Sequence, residues 1–108
     1  MPNLYIIAGC NGAGKTTASY TVLPEMLNCN EFVNADEIAR GLSPFQADKA
    51  AIDAGKIMLT RIKGLVKSRV DFSFETTLSA RHFVKLINEA QQQGYFVTLV
   101  FFSLIVLN

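Results

Sequence analysis

A chain of 108 residues, 50% hydrophobic and 18% charged, is richer in apolar residues and poorer in charge than an average soluble domain, which excludes an intrinsically disordered chain. Its length fits a single domain, expected to span residues 1–108. Ten Lys and Arg against nine Asp and Glu leave a net charge of +1, too weak a field to predict a nucleic acid partner.

The N-terminus has no basic segment, and its apolar run, Leu4 to Ala8, is only five residues long, so it does not read as a secretory signal. That run ends at a glycine and predicts a buried parallel strand. Gly9 to Gly14 predict a loop, and Lys15 to about Leu23 a helix stopped by Pro24. Glu31 to Asn34 form a second short strand, leading into a brief helix, ADEIAR, ended by Gly41. Ser43 and Pro44 then suggest an N-cap and a first helical proline. The helix they would open has Ala47, Ala50, Ala51, Ala54, Ile57, Met58, Ile62, Leu65 and Val66 at helical spacing and runs to about Lys67.

Val70, Phe72 and Phe74 alternate with Asp71, Ser73 and Glu75, which predicts a third strand. Phe83, Leu86, Ile87 and Ala90 mark a further helix, with Ser79 as its N-cap and Gly94 just past its end. A fourth strand starts at Tyr95 and runs into the C-terminus. Its apolar stretch to Leu107 is 13 residues, short of the roughly 20 that cross a bilayer, so no membrane partner is expected. This order, βαβαβαβ without hairpin signals, predicts an α/β fold: a mostly parallel sheet flanked by helices in three αβα layers. Cys10 and Cys29 make no disulfide framework and suit a reducing, cytoplasmic setting.

One stretch carries specific chemistry. Gly9-Cys10-Asn11-Gly12-Ala13-Gly14-Lys15-Thr16 satisfies G-x-x-x-x-G-K-[ST], the phosphate loop of P-loop NTPases, with an apolar strand before it and a helix after it. The glycines leave room for successive N–H groups to converge on a phosphate, and the helix start attracts the same anion. The cofactor-binding set expected from this loop is Gly9, Asn11, Gly12, Ala13, Gly14, Lys15, Thr16 and Thr17. Lys15 would place a cation on the β- and γ-phosphates of ATP, and the Thr16 hydroxyl would ligate Mg²⁺.

Such a loop serves ATPases, GTPases and kinases alike. The guanine signal N-K-x-D is absent from this sequence, and a motor-type ATPase needs a longer chain. A kinase of small hydroxyl compounds needs a carboxylate to accept the hydroxyl proton and a second acidic group to organise Mg²⁺. Asp36 lies just past the second strand, where ligands of open α/β sheets sit, and is the candidate catalytic base, with Arg40 as its charge partner. The competing reading of Asp36 is an ordinary acid at a helix N-terminus. Glu75 ends the third strand and is a candidate for Mg²⁺ or substrate, against the plainer reading of a solvated strand-end acid. Arg81 is a candidate substrate or phosphate contact. His82, without metal-site partners, reads as a surface residue.

In combination, YIIAGCNGAGKTT, FVNADEIARG, FSFETTLS and GYFVTLVFF resemble the zeta-toxin-like kinases of bacteria, over nearly the whole chain to Phe102. The resemblance implies an ATP-dependent phosphotransferase whose acceptor is the 3′-hydroxyl of the amino sugar in UDP-N-acetylglucosamine, restrained by an antitoxin protein. By position it gives Lys15 and Thr16 to ATP and Mg²⁺, Asp36 to the base, and Glu75 and Thr77 to the substrate side. The chain departs from the family where Thr76 replaces a glycine and Ser79 an arginine, with Arg81 close by.

The resemblance also implies a strand order 2-3-1-4-5, with an arginine-bearing lid and a fifth strand that this sequence does not contain. The expectation is therefore the N-terminal part of such a kinase, with weakened turnover. Its alternatives are a nucleotide-binding remnant or a small metabolic kinase of the shikimate or gluconate type. The strand at 96–102 would then offer an apolar edge for self-association.

Overall fold

The structure, a computed structural model, describes residues 1–9, 20, 22–76 and 82–102. Strands β1 (Asn3–Gly9), β2 (Phe32–Val33), β3 (Phe72–Thr76) and β4 (Phe96–Phe102) form a parallel sheet in the order β2-β3-β1-β4. This is the order expected for the first four strands. Leu4 pairs with Phe72 on one side and Val97 on the other, and Ile7 with Glu75 and Val100. β2 is held through Phe32 opposite Ser73 and Val33 opposite Phe74.

Crossovers in a parallel sheet cover its faces, so its strands must be apolar on both sides. Leu4, Ile6, Val33, Phe72 and Phe74 point to one face, where Met58, Ile62, Leu65, Leu86 and Ala90 of two helices close over them. Those helices are α2 (Ala51–Ser68) and α3 (His82–Gln92). On the other face, Ile7 packs with Leu23 and Cys29, and Tyr5, Phe32 and Val100 border them. Ser73 shows the consequence: its alternation suggested a wet face, yet it is fully buried. Its N–H and hydroxyl both donate to the Glu31 carbonyl, at 2.8 and 3.0 Å.

Several element ends differ from expectation. The helix after β2, α1 (Ala35–Leu42), runs through Gly41 and stops at Ser43, whose N–H donates to the Ala39 carbonyl. Ser43 and Pro44 therefore do not open the next helix. The chain turns there, passes through a short 3₁₀ segment at Ala47–Ala50 and becomes α-helical at Ala51. Pro24 does not end its helix either: it sits inside a wide π-type turn, Val22–Met26, and the Cys29 N–H closes onto the Leu23 carbonyl beyond it. The start of that helix, the N-cap Ser79 and the tail 103–108 lie outside the described residues.

Gly94 does adopt a left-handed conformation, φ +89°, just past α3. Arg69, also left-handed, ends α2 and donates from its guanidinium to the Gln93 carbonyl, so the two helix ends are tied together. Tyr95 adds a second tie. Buried against Phe72, its hydroxyl lies 3.0 Å from the Leu65 carbonyl and 2.7 Å from that of Val70. Burial, with help from Asp71, raises its pKa.

Tyr95→Phe should cost about 1 kcal/mol, by removing the donor those carbonyls share. Urea unfolding should show the midpoint falling with an unchanged slope. Because the folded-state pKa is raised, the Tyr95 contribution is fully present below pH 10 and declines as the pH climbs through that of the folded phenol. The loss of stability at high pH should accordingly be shallower in Tyr95→Phe.

Candidate functional site

Parallel pairing brings the carboxyl ends of all four strands to one edge of the sheet. There β1 ends at Gly9, where the phosphate-loop motif begins, and β3 ends at Glu75 and Thr76 beside Ile7 and Ala8. One step past β2, Asn34 comes level with Glu75, because Val33 is paired with Phe74. Gly9 thus shares this edge with two polar side chains, Asn34 and Glu75. Ligands of open α/β sheets sit at such an edge.

Asn34 starts α1 in extended conformation, φ −136°, and caps it: its Oδ1 accepts from the N–H groups of Asp36 at 2.8 Å and Glu37 at 3.3 Å. Its Nδ2 donates to Glu75 Oε2 at 2.8 Å. One buried amide therefore joins the first turn of α1 to the end of β3. The sequence pattern places Asn34 at the end of a strand and does not single it out. The signal was present in the spacing, since Asn followed three residues later by Glu37 has the form of a helix N-terminus.

Asp36 is exposed on the first turn of α1, a position that also suits the helix dipole. Arg40 does not pair with it. Its guanidinium contacts Glu37 at 2.5 Å, one helical turn away. Both partners are substantially exposed, so this pair adds little to stability. α1 itself is seated on the 3₁₀ segment and on α2, with Ala39 against Ala50 and Ala54 and Ile38 beside them.

A cavity of about 650 Å³ opens along β2, lined by Tyr20, Leu23, Phe32, Asn34, Glu37 and Ile57 among others. Tyr20 and Phe32 meet edge to face, with ring centres 5.9 Å apart, and Arg61 pairs with Glu31 at 2.8 Å beside them. Glu37, rather than Asp36, faces this space. Cys29 is buried at its floor, and burial raises its thiol pKa. A nucleophilic role is disfavoured there, because the thiolate is the reactive form. With Cys10→Ser removing the other thiol, Cys29 should react with a disulfide reagent at least tenfold more slowly in the native chain than in urea. Equal rates would contradict its burial.

Cys10, Asn11, Gly12, Ala13, Gly14, Lys15, Thr16, Thr17, Thr77 and Arg81 lie outside the described residues, and the site's geometry is that of Gly9, Asn34, Asp36, Arg40 and Glu75. His82 opens α3. Among the described residues, no cluster of three or more His, Cys, Asp or Glu could hold a metal ion, and no helix is long and apolar enough to cross a membrane.

The model of the zeta toxin family matches residues 1–104. A protein of Haemophilus influenzae without assigned function is 28% identical over 92 residues, 84% of this chain and 63% of that protein. A chain from the PezAT chromosomal toxin–antitoxin system of Streptococcus pneumoniae superposes with a TM-score of 0.78 at 20% identity, covering 94% of this chain and 46% of that one. A candidate kinase from Chloroflexus aurantiacus superposes with a TM-score of 0.73 at 14% identity, covering 94% and 59%. The chain thus spans about half to two thirds of the length of these proteins.

Proposed function

The chain belongs to the zeta toxin family, and we propose that residues 1–108 form a P-loop kinase-like unit that transfers the γ-phosphate of ATP to a hydroxyl of a small molecule. The observation that carries this reading is the meeting of Gly9, the Asn34-capped turn bearing Asp36, and Glu75 at one edge of the parallel sheet. A phosphoryl transfer site needs little covalent chemistry from the protein and depends on positioning and charge.

In this reading the N–H groups from Gly9 to Thr17 and the Lys15 ammonium hold the polyphosphate. The Thr16 hydroxyl and Glu75 are the Mg²⁺ side of the site. One or two protein oxygens suffice there, since Mg²⁺ keeps waters and phosphate oxygens as its other ligands. Bound Mg²⁺ and ATP supply the phosphoryl group and the neutralisation of charge that its transfer requires. Asp36 accepts the proton of the acceptor hydroxyl, and Thr77, Arg40 and Arg81 bind the acceptor or the phosphates. UDP-N-acetylglucosamine is the first to test. An antitoxin-type protein is the macromolecular partner that family membership favours.

Calorimetry with Mg²⁺ and ATP should show saturable binding that Lys15→Ala abolishes. Transfer to UDP-N-acetylglucosamine or a related hydroxyl should fall about 10²- to 10⁴-fold in Asp36→Ala, with nucleotide binding retained. Binding without transfer by the wild-type chain would instead identify a nucleotide-binding module. Transfer indifferent to both substitutions would refute the assignment.

A further inference from the structure

Helix capping requires only an acceptor, which Ser, Thr or Asp supply as readily as Asn. Holding a carboxylate requires only a donor. Asn34 does both at once, with the acceptor and donors on separate atoms of one planar amide. A serine hydroxyl also donates and accepts, but through one atom close to the backbone. With Asn34 only 6% exposed, water competes weakly for either bond, and the low local dielectric strengthens both.

The two ends of this amide reach elements far apart in sequence. One fixes the turn of α1 that carries Asp36, and the other reaches 41 residues along the chain to Glu75. Resting on the phosphotransferase reading above, we propose that Asn34 is a positioning residue: it locks the metal-side carboxylate Glu75 to the helix turn that bears the base Asp36. The two carboxylates come from different strand ends, and this one side chain bridges the elements that carry them.

Two measurements test the lock. In nucleotide-free, isotopically labelled protein, the Asn34 side-chain NH₂ should give a displaced, slowly exchanging signal. Glu75→Ala should return that signal to the ordinary amide position. Glu75→Gln should keep it, because an amide oxygen still accepts, and Asp36→Ala should leave it unchanged, because the cap uses a backbone N–H. A signal indifferent to Glu75→Ala overturns the proposal, whether or not the chain transfers phosphate.

The second measurement separates positioning from helix capping. Asn34→Ser keeps a cap but cannot span to Glu75, so its melting temperature should fall by several degrees with the protein still folded at the assay temperature, while kcat falls about tenfold and KM for ATP changes less than about twofold. Asn34→Asp also keeps the cap and should not rescue kcat, since it offers Glu75 a like charge in place of a donor. Wild-type kcat in Asn34→Ser would overturn the positioning role. Absence of transfer in the wild-type chain would count against the phosphotransferase reading instead, and the amide signal would still decide whether Asn34 locks Glu75.

Discussion

The parallel pairing of β1 with β3 on one side and β4 on the other governs the rest of the molecule. Strands that run the same way end at the same edge, so Gly9, Asn34 and Glu75 meet there without any long loop reaching across. The same pairing requires a crossover after every strand, and those crossovers bury both faces of the sheet. Phe72 and Phe74 are fully buried for this reason, and Ser73 is tolerated between them only because the Glu31 carbonyl accepts both of its donors.

The turn that carries Asp36 is supported at two points. Beneath it, Ala39 packs against Ala50 of the 3₁₀ segment and Ala54 of α2, with Ile38 and Ala47 closing around them. At its start, the Asn34 amide replaces the hydrogen-bond partners that the first N–H groups of a helix lack. The exposed Arg40–Glu37 pair contributes far less, being open to water and salt. Buried packing and the Asn34 amide thus support this turn more than surface charge does.

Much of the fold was legible in the sequence. Short apolar runs closed by Gly or Asn marked the strands, and the helical spacing of Ala54, Met58, Ile62 and Leu65 marked α2. The phosphate-loop motif is a reading of the sequence alone, since its residues after Gly9 lie outside the described ones. Element ends were less legible. Gly41 has the look of a stop, but a glycine without a left-handed φ is simply helical, and the following turn pre-empts the Ser43-Pro44 signal. Arg40 stands three residues from Glu37 and four from Asp36, and both spacings permit an ion pair on a helix. Local pattern could not choose between them. Asn34 escapes notice because a two-residue strand shows no period and the partner of its amide lies on β3.

On the proposed reading, a polyphosphate binds at the carboxyl edge of this sheet. Mapping backbone amide shifts while titrating the labelled chain with Mg²⁺ and a non-hydrolysable ATP analogue tests it most directly. Saturable changes should concentrate at residues 9–17, 34–37 and 75–76, with Asn3, Phe72 and Phe96 at the opposite edge unmoved. Changes centred on that opposite edge, or none at millimolar nucleotide, would contradict it.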